Sequence, residues 1–323
     1  MRTAAWNCRG LGNDLAVRRL KEIKKTFSPD IICLMETKQG NDVVRSVGAE
    51  LGYDHVFTVP PIGLSGGVAL FWNSSLSVSV LYHSLNLVDT YVKINGFGFY
   101  LSCVYGNPNP SLRHLVRERL ERTTLNRTGP WMAIGDFNEI KSNSEKKGGP
   151  PRHESSFADF RNMLQVCDFH EPKFKGNPFS WTGKRYSHDI ACCLDKTLAN
   201  SEWHGQYPAS HAEFLELLES DHRPVITTIT SDFNPRQGQF CYDNRLLNRE
   251  GFQDAINRGW NHQHLGHETQ LTSRLQECRK AIFSWKRRNK PNAQEEISIL
   301  KNLLDKAHSD GLLHNVNESF DNN

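Results

Sequence analysis

Apolar and polar positions alternate along the first 230 residues in blocks of two periods. Ala16, Leu20, Ile23 and Phe27 recur at helical spacing behind Asn13, a side chain suited to an N-cap, and Ser28-Pro29 ends the run. Ile31-Ile32-Cys33-Leu34 then reads as a buried strand leading into Glu36, and a short helix is expected near Asp42–Leu51. Phe97 to Val104 predicts another strand ending at Tyr105. Leu112, Leu115, Val116 and Leu120 predict a helix. Trp131-Met132-Ala133-Ile134 predicts a strand that opens into Gly135-Asp136-Phe137-Asn138, and Phe157, Phe160, Met163 and Leu164 a helix begun by Ser155 or Ser156. The last strand signal is Val225 to Ile229, behind Asp221-His222-Arg223-Pro224. Many strands with a few helices between them fit a layered α/β sandwich.

Val56 to Val88 holds no Asp, Glu, Lys or Arg, a stretch longer than a membrane span requires. Its Pro60, Pro61, Gly63, Gly66 and Gly67 suit turns, and Leu76-Ser77-Val78-Ser79-Val80 keeps the strand period of two. Core strands are therefore expected there, with no membrane anchor. The N-terminus lacks the apolar core of a signal peptide, so an intracellular protein is expected. After about residue 231 the texture changes: Asn234 to Gly238 is linker-like, and polar helical segments follow. Residues 231–323 are read as a basic, mostly helical tail on a domain spanning 1–230. Arg279, Lys280, Lys286, Arg287, Arg288 and Lys290 concentrate charge there, and Ile297, Leu300, Leu303, Leu304 and Ala307 form a helical stripe.

Composition narrows the function classes. With 37% hydrophobic and 23% charged residues the chain is globular, and a net charge of +3 excludes a histone-like polycation. Any nucleic-acid contact must come from local patches. The eight cysteines form no Cys-x-x-Cys pair and read as reduced, buried thiols. His262, His264 and His267 lack the Cys or carboxylate companions of a structural zinc site.

Polar residues repeatedly follow apolar strand runs: Asn7, Glu36, Tyr105, Asp136 with Asn138, and Asp221 with His222 ahead of the last strand. Singly, each has an ordinary explanation as a turn residue, cap or surface acid. Acids gathered at strand ends would bind a hard divalent cation, which could polarise a phosphoryl oxygen and activate water beside a histidine.

The ordered set resembles the endonuclease/exonuclease/phosphatase superfamily. It comprises Trp6-Asn7, Met35-Glu36-Thr37, Val104-Tyr105-Gly106, Gly135-Asp136-Phe137-Asn138, Leu194-Asp195 and Ser220-Asp221-His222-Arg223-Pro224. Trp6-Asn7-Cys8-Arg9-Gly10-Leu11-Gly12, Gly63 to Ala69 with Trp72, Phe179-Ser180-Trp181-Thr182-Gly183 and Leu194 to Asn200 with Trp203 narrow the resemblance further. They are similar to the endonuclease domain of plant non-LTR (LINE-type) retrotransposons. With no Tyr-x-Asp-Asp present, the chain looks like an endonuclease module that stops before a reverse transcriptase.

The resemblance implies a four-layer α/β/β/α sandwich of the DNase I-like type with a short helical tail. It implies Mg2+, with Mn2+ as a substitute, held by Glu36, Asn7 and Asp221. Asp136 would orient or deprotonate water with Asn138, His222 would contact the phosphate with Asp195 fixing its imidazole, and Tyr105 would donate to the phosphate. Arg9, Trp181 and Arg223 would meet DNA, the expected partner. Arg9 departs from apurinic/apyrimidinic endonucleases, which carry an acid at that position, and so argues against a second metal site and abasic-site repair. The implied reaction is DNA nicking that leaves a 3′-hydroxyl. A same-fold phosphatase or phospholipase, an RNA nuclease, or a non-catalytic remnant of a retrotransposon remain the alternatives.

Overall fold

A computed structural model describes residues 1–63, 65–94, 96–185, 187–231, 246–247, 249–261, 271–289 and 299–307. The strands of the first half are β1 (Arg2–Asn7), β2 (Ile31–Met35), β3 (His55–Val59), β4 (Val68–Trp72), β5 (Ser77–His83), β6 (Leu87–Ile94), β7 (Phe97–Tyr105) and β8 (Trp131–Asp136). They are followed by β9 (Lys146–Lys147), β10 (Lys173–Lys175), β11 (Trp181–Arg185), β12 (His188–Cys192), β13 (Asp195–Ala199), β14 (His211–Phe214) and β15 (Val225–Thr228). One sheet runs β10-β14-β15-β1-β2-β4-β3, a second β13-β8-β7-β6-β5, and a third, small one β11-β12-β9.

The period-2 geometry of these strands builds the layers. On β1 and β2, Ala5, Ile31, Cys33 and Met35 face the five-stranded sheet and meet Val88, Leu101, Cys103, Met132 and Ile134 in one buried cluster. Their neighbours Ala4, Trp6, Ile32 and Leu34 face outward onto helices α1 (Asp14–Phe27) and α2 (Asn41–Glu50), through Ala16, Leu20, Ile23, Val44 and Val47. Likewise Val104, Trp131, Ala133 and Leu198 pack outward against Val116 and Leu120 of α3 (Arg113–Leu125) and Phe160 and Met163 of α4 (Ala158–Val166). The result is helix, sheet, sheet, helix. Because both faces of the central strands are covered, their sequences are apolar throughout rather than alternating. Each fully buried Leu or Ile in these layers contributes roughly 1.5–3 kcal/mol.

Local signals explain the element ends. The Asn13 side chain accepts from Leu15 N and opens α1, and Ser28 closes it in the left-handed region at φ 46°. Gly135, at φ +130°, lies where an added Cβ would stand 2.1 Å from Val104 O. Only glycine lets β8 pass β7 this closely and deliver Asp136 at its end.

Some expectations shift. Leu112 and Leu115 are exposed, since α3 begins at Arg113 and turns only Val116 and Leu120 inward. A 3-10 turn, Glu154–Phe157, precedes α4, and His153 rather than a serine accepts from Ser155 N to cap it. Seven cysteines among the described residues are buried free thiols.

The chain divides into two compact units, Met1–Phe233 with Asp305–Asn323, and Asn234–Leu304. In the second, α5 being the short helix Ser201–Gln206 of the first unit, α6 (Phe252–Trp260) and α7 (Leu271–Arg288) enclose Leu246, Phe252, Ala255, Ile282 and Trp285. Gly259 permits their close approach, because a Cβ there would lie 2.5 Å from Cys278 Cα. Residues 299–307 are helical, with Leu300, Leu303 and Leu304 exposed. Asn234 to Gly238, His262, His264, His267, Lys290 and Ile297 lie outside the described residues. Among the described residues, no helix is long and apolar enough to cross a membrane.

Candidate active site

Topology gathers the polar residues that end the strands. In the seven-stranded sheet β1 and β2 run parallel with Asn7 opposite Met35, so Asn7 and Glu36 leave the sheet together. β15 lies antiparallel on the other side of β1, with Val225 opposite Ala5, which brings the preceding Asp221 and His222 to the same end. In the facing sheet, Asp136 stands opposite Tyr105 on β7 and opposite Asp195 on β13. Two sheets thus deliver seven candidate side chains to one rim.

The Asn7 amide is their hub. Its Nδ2 donates to Glu36 Oε1 at 3.1 Å and to Asp136 Oδ2 at 3.0 Å, and lies 3.4 Å from His222 Nε2. Tyr105 also donates to Glu36 Oε1, at 3.1 Å, and Lys38 pairs with Oε2 at 2.9 Å. Asp136 is 1% exposed. Its Oδ1 accepts from the backbone N–H of Asn138 at 2.9 Å, and its Oδ2 from Asn138 Nδ2 at 3.1 Å. Asn138 reaches this position through a left-handed backbone, φ 53°, a conformation asparagine tolerates well.

His222 and Asp195 form a buried dyad. His222 Nδ1 lies 2.8 Å from Asp195 Oδ2, and because a carboxylate can only accept, Nδ1 is the donor. Nε2 is thereby turned toward Asp136 Oδ2, 3.8 Å away. The dyad is anchored from both sides. Ser180 Oγ accepts from Asp195 N at 2.8 Å, while Ser220 Oγ donates to Asn7 O at 2.8 Å and accepts from His222 N at 3.2 Å.

Asp221 sits apart from the hub: its Oδ2 takes Arg9 Nη1 at 2.8 Å and Trp181 Nε1 at 3.0 Å. Trp181 is half-buried: it lines the cleft and holds Asp221 while its ring packs against the small cluster of Ile140, Phe157, Ile190 and Cys192. Arg223 is a correction. It is 2% exposed and donates to Phe179 O and Leu215 O and to Asp305, so its guanidinium ties loops together inside the protein and cannot meet DNA. Sequence reading passed over Lys38, whose only signal is a cation two residues after Glu36. It also missed the small sheet β11-β12-β9, which walls a cleft of about 610 Å³ carrying Arg113, Lys146, Arg152 and Arg185.

Burial pushes Glu36 up, but the Lys38 ammonium and the Asn7 and Tyr105 donors outweigh it and hold the carboxyl below its ordinary range. Asp136 goes the other way: burial, against the pull of His222, raises it to about 6. His222 loses basicity to burial, but Asp195 and Asp136 more than restore it, raising it to about 9. Burial and the nearby Glu36 keep Tyr105 protonated, as a donor.

The donor set fits a hard divalent cation. Glu36 is ionised beside Asp136 and Asn7, and ligand atoms of Asp136, Asp195 and His222 lie within 4.8 Å of one another. Asp195 Oδ1 and Asp221 Oδ1 are buried oxygens with no hydrogen-bond donor, as carboxylates near a cation or water site would be. Asp195 is already committed to His222, and Asp221 to Arg9 and Trp181, which leaves Glu36, Asp136 and Asn7 as the better cradle.

The raised His222 value carries a stability consequence for the metal-free protein. Protonated His222 stabilises the fold fully below pH 6.5, and that contribution is lost as pH rises through about 9. Asp136 adds a loss in the same direction between 3.8 and about 6, where its buried carboxyl must ionise. In chelator, the melting temperature is expected to fall steadily from pH 6.5 to 9, and His222→Gln to flatten that fall. An unchanged slope in the variant refutes the assignment.

Comparison with known proteins places this geometry. No curated protein sequence matches the chain. Among solved structures it is similar to a Neisseria 3′ phosphatase, NExo, bound to product DNA hairpin, with 17% identity, 71% of this chain and 99% of that one covered, and a TM-score of 0.54. It is similar to the AP endonuclease LMAP of Leishmania major, at 16% identity, 72% and 88% coverage and a TM-score of 0.54. It is also similar to the endonuclease domain of TRAS1, a telomere-specific non-LTR retrotransposon, at 15% identity, 71% and 97% coverage and a TM-score of 0.51. At these identities the likeness is one of fold. The sequence model of the endonuclease/exonuclease/phosphatase family matches residues 4–222, which hold every strand-end residue of the rim, and the chain belongs to that family.

Proposed function

We propose that this chain is a divalent-metal-dependent phosphodiester hydrolase that nicks DNA and leaves a 3′-hydroxyl, a retrotransposon-type endonuclease acting in the nucleus. The observation that carries the reading is the Asn7 amide, which joins Glu36 to Asp136 at one rim with the Asp195–His222 dyad beside it. The catalytic unit is residues 1–230, and the remainder is a basic, helical appendage.

A magnesium or manganese ion at Glu36, with Asn7 and Asp136 beside it, would supply Lewis-acid polarisation of a phosphoryl oxygen. The chain's own groups do the rest. Asp136, fixed by Asn7 and Asn138, holds the attacking water and accepts its proton. Its raised value, about 6, makes it a stronger base than an ordinary aspartate while leaving it ionised at neutral pH. His222 stands opposite with Nε2 free to donate to a phosphate oxygen as charge develops there, and Asp195 keeps the imidazole charged and oriented. Tyr105 remains protonated and steadies Glu36.

A polymer substrate is favoured over a small phosphate ester because Arg113, Lys146, Arg152 and Arg185 line the cleft beyond the reacting groups. Purified protein is expected to relax supercoiled plasmid in magnesium, to lose that activity in chelator and to regain it with manganese. Hydrolysis of inositol phosphates or of a 3′-terminal phosphate without any nicking would replace this reading with the phosphatase alternative.

A further inference from the structure

We infer that Arg9 takes the place of a second divalent ion at Asp221, leaving the centre with a single ion at Glu36. The inference rests on the metal-dependent reading above and sharpens it, since it removes Asp221 from the expected ligand set.

Three observations carry it. First, Arg9 Nη1 and Asp221 Oδ2 lie 2.8 Å apart, the length of a charge-assisted bond, between residues 212 apart in sequence. Trp181 Nε1 donates to the same oxygen, so the carboxylate is held from two sides. Second, the Arg9 backbone is built for this reach. Its φ of 50° is left-handed, the turn is tied by Leu11 N to Thr37 O and Cys8 N to Met35 O, and Arg9 N donates to Asn7 Oδ1 at 3.3 Å. The guanidinium therefore starts two residues from the hub Asn7 and reaches Asp221, with 53% of its side chain exposed. Third, the Asn7 amide that Glu36 and Asp136 share makes no hydrogen bond with Asp221 among the described residues.

Charge chemistry then decides the outcome. Arginine cannot deprotonate in a protein, so a divalent ion at Asp221 would have to displace a permanent cation or sit beside it. Lys38, paired with Glu36, is a compact ammonium on a flexible stem and can withdraw when an ion arrives. Magnesium is usually held by one or two carboxylates and keeps several waters, so Glu36 and Asp136 suffice. The same pairing gives Asp221 a use: it fixes Arg9 at the cleft, where the guanidinium faces incoming phosphate.

The test counts manganese ions by electron paramagnetic resonance of unbound Mn2+ at equilibrium dialysis, without DNA. Wild type is expected to bind one Mn2+ per chain at the centre, Glu36→Gln none, and Asp221→Asn one. Arg9→Asp is expected to bind two, because it adds a carboxylate beside Asp221, whose Oδ1 is buried without a donor. Aspartate suits the left-handed backbone of Arg9, and the side chain it replaces is exposed, so the fold is expected to be kept, which circular dichroism checks. Arg9→Asn, neutral and equally suited to that backbone, should also gain a second, weaker ion. Two ions in wild type, falling to one in Asp221→Asn, would overturn the inference, as would a single ion in both Arg9 variants. One bound ion with no nicking of DNA would instead overturn the nuclease reading and leave this one standing.

Discussion

Asp136→Asn is expected to lower metal-dependent nicking of supercoiled plasmid by about a thousandfold or more, with DNA binding in chelator changed less than threefold. The substitution keeps shape and removes both the charge and the basicity. It also cannot be accommodated by an amide flip. Asp136 Oδ1 faces the Asn138 N–H, and Oδ2 faces the amide groups of Asn7 and Asn138, so either orientation sets an NH2 group against a donor. The hub that holds Asn7 against Glu36 is disturbed as well, and metal affinity should weaken with it. Stability moves little, because the lost hydrogen bonds are offset by relief from burying a charge whose value burial has raised. Binding can persist because the cleft cations Arg113, Lys146, Arg152 and Arg185 do not depend on Asp136. Wild-type nicking by the purified variant would remove Asp136 from the chemistry altogether.

Much of this rim was legible because apolar runs end at it. Ile31 to Leu34 and Trp131 to Ile134 are unbroken apolar strings, the mark of strands covered on both faces, and the first polar residues after them are Glu36 and Asp136. What could not be read is pairing between strands distant in sequence. Nothing local announces that β8 lies between β7 and β13, the arrangement that sets Asp136 against both Tyr105 and Asp195. Arg223 misled for a related reason. It follows the Asp221-His222 pair at the rim, but just ahead of β15 its side chain turns inward to the carbonyls of Phe179 and Leu215. The small sheet β11-β12-β9 escaped because Thr182, Gly183, Lys184 and Arg185 have no apolar period, its inner face resting on few residues such as Ile190 and Cys192. Leu112 and Leu115 kept helical spacing yet stay exposed, since spacing defines a face without saying which face meets the sheet.

His222→Ala is expected to cost about a hundredfold to a thousandfold in nicking rate, the range for losing one preorganised donor to a developing oxyanion. Asp195→Asn should cost nearly as much although Asp195 touches no substrate. Asparagine can still accept from His222 Nδ1 through its carbonyl oxygen, so the ring stays in place, but the negative charge that raises His222 to about 9 is gone. With Nδ1 keeping its proton to satisfy that acceptor, Nε2 becomes the nitrogen left bare near neutral pH and no longer donates. The variant should therefore recover activity as pH falls, its alkaline limb moving to lower pH than that of the wild type, a change that a purely structural defect would not produce. The two residues act as one unit, so the double variant His222→Ala/Asp195→Asn should be no slower than His222→Ala alone. Losses that multiply in the double variant would mean that Asp195 contributes by a route separate from the His222 imidazole.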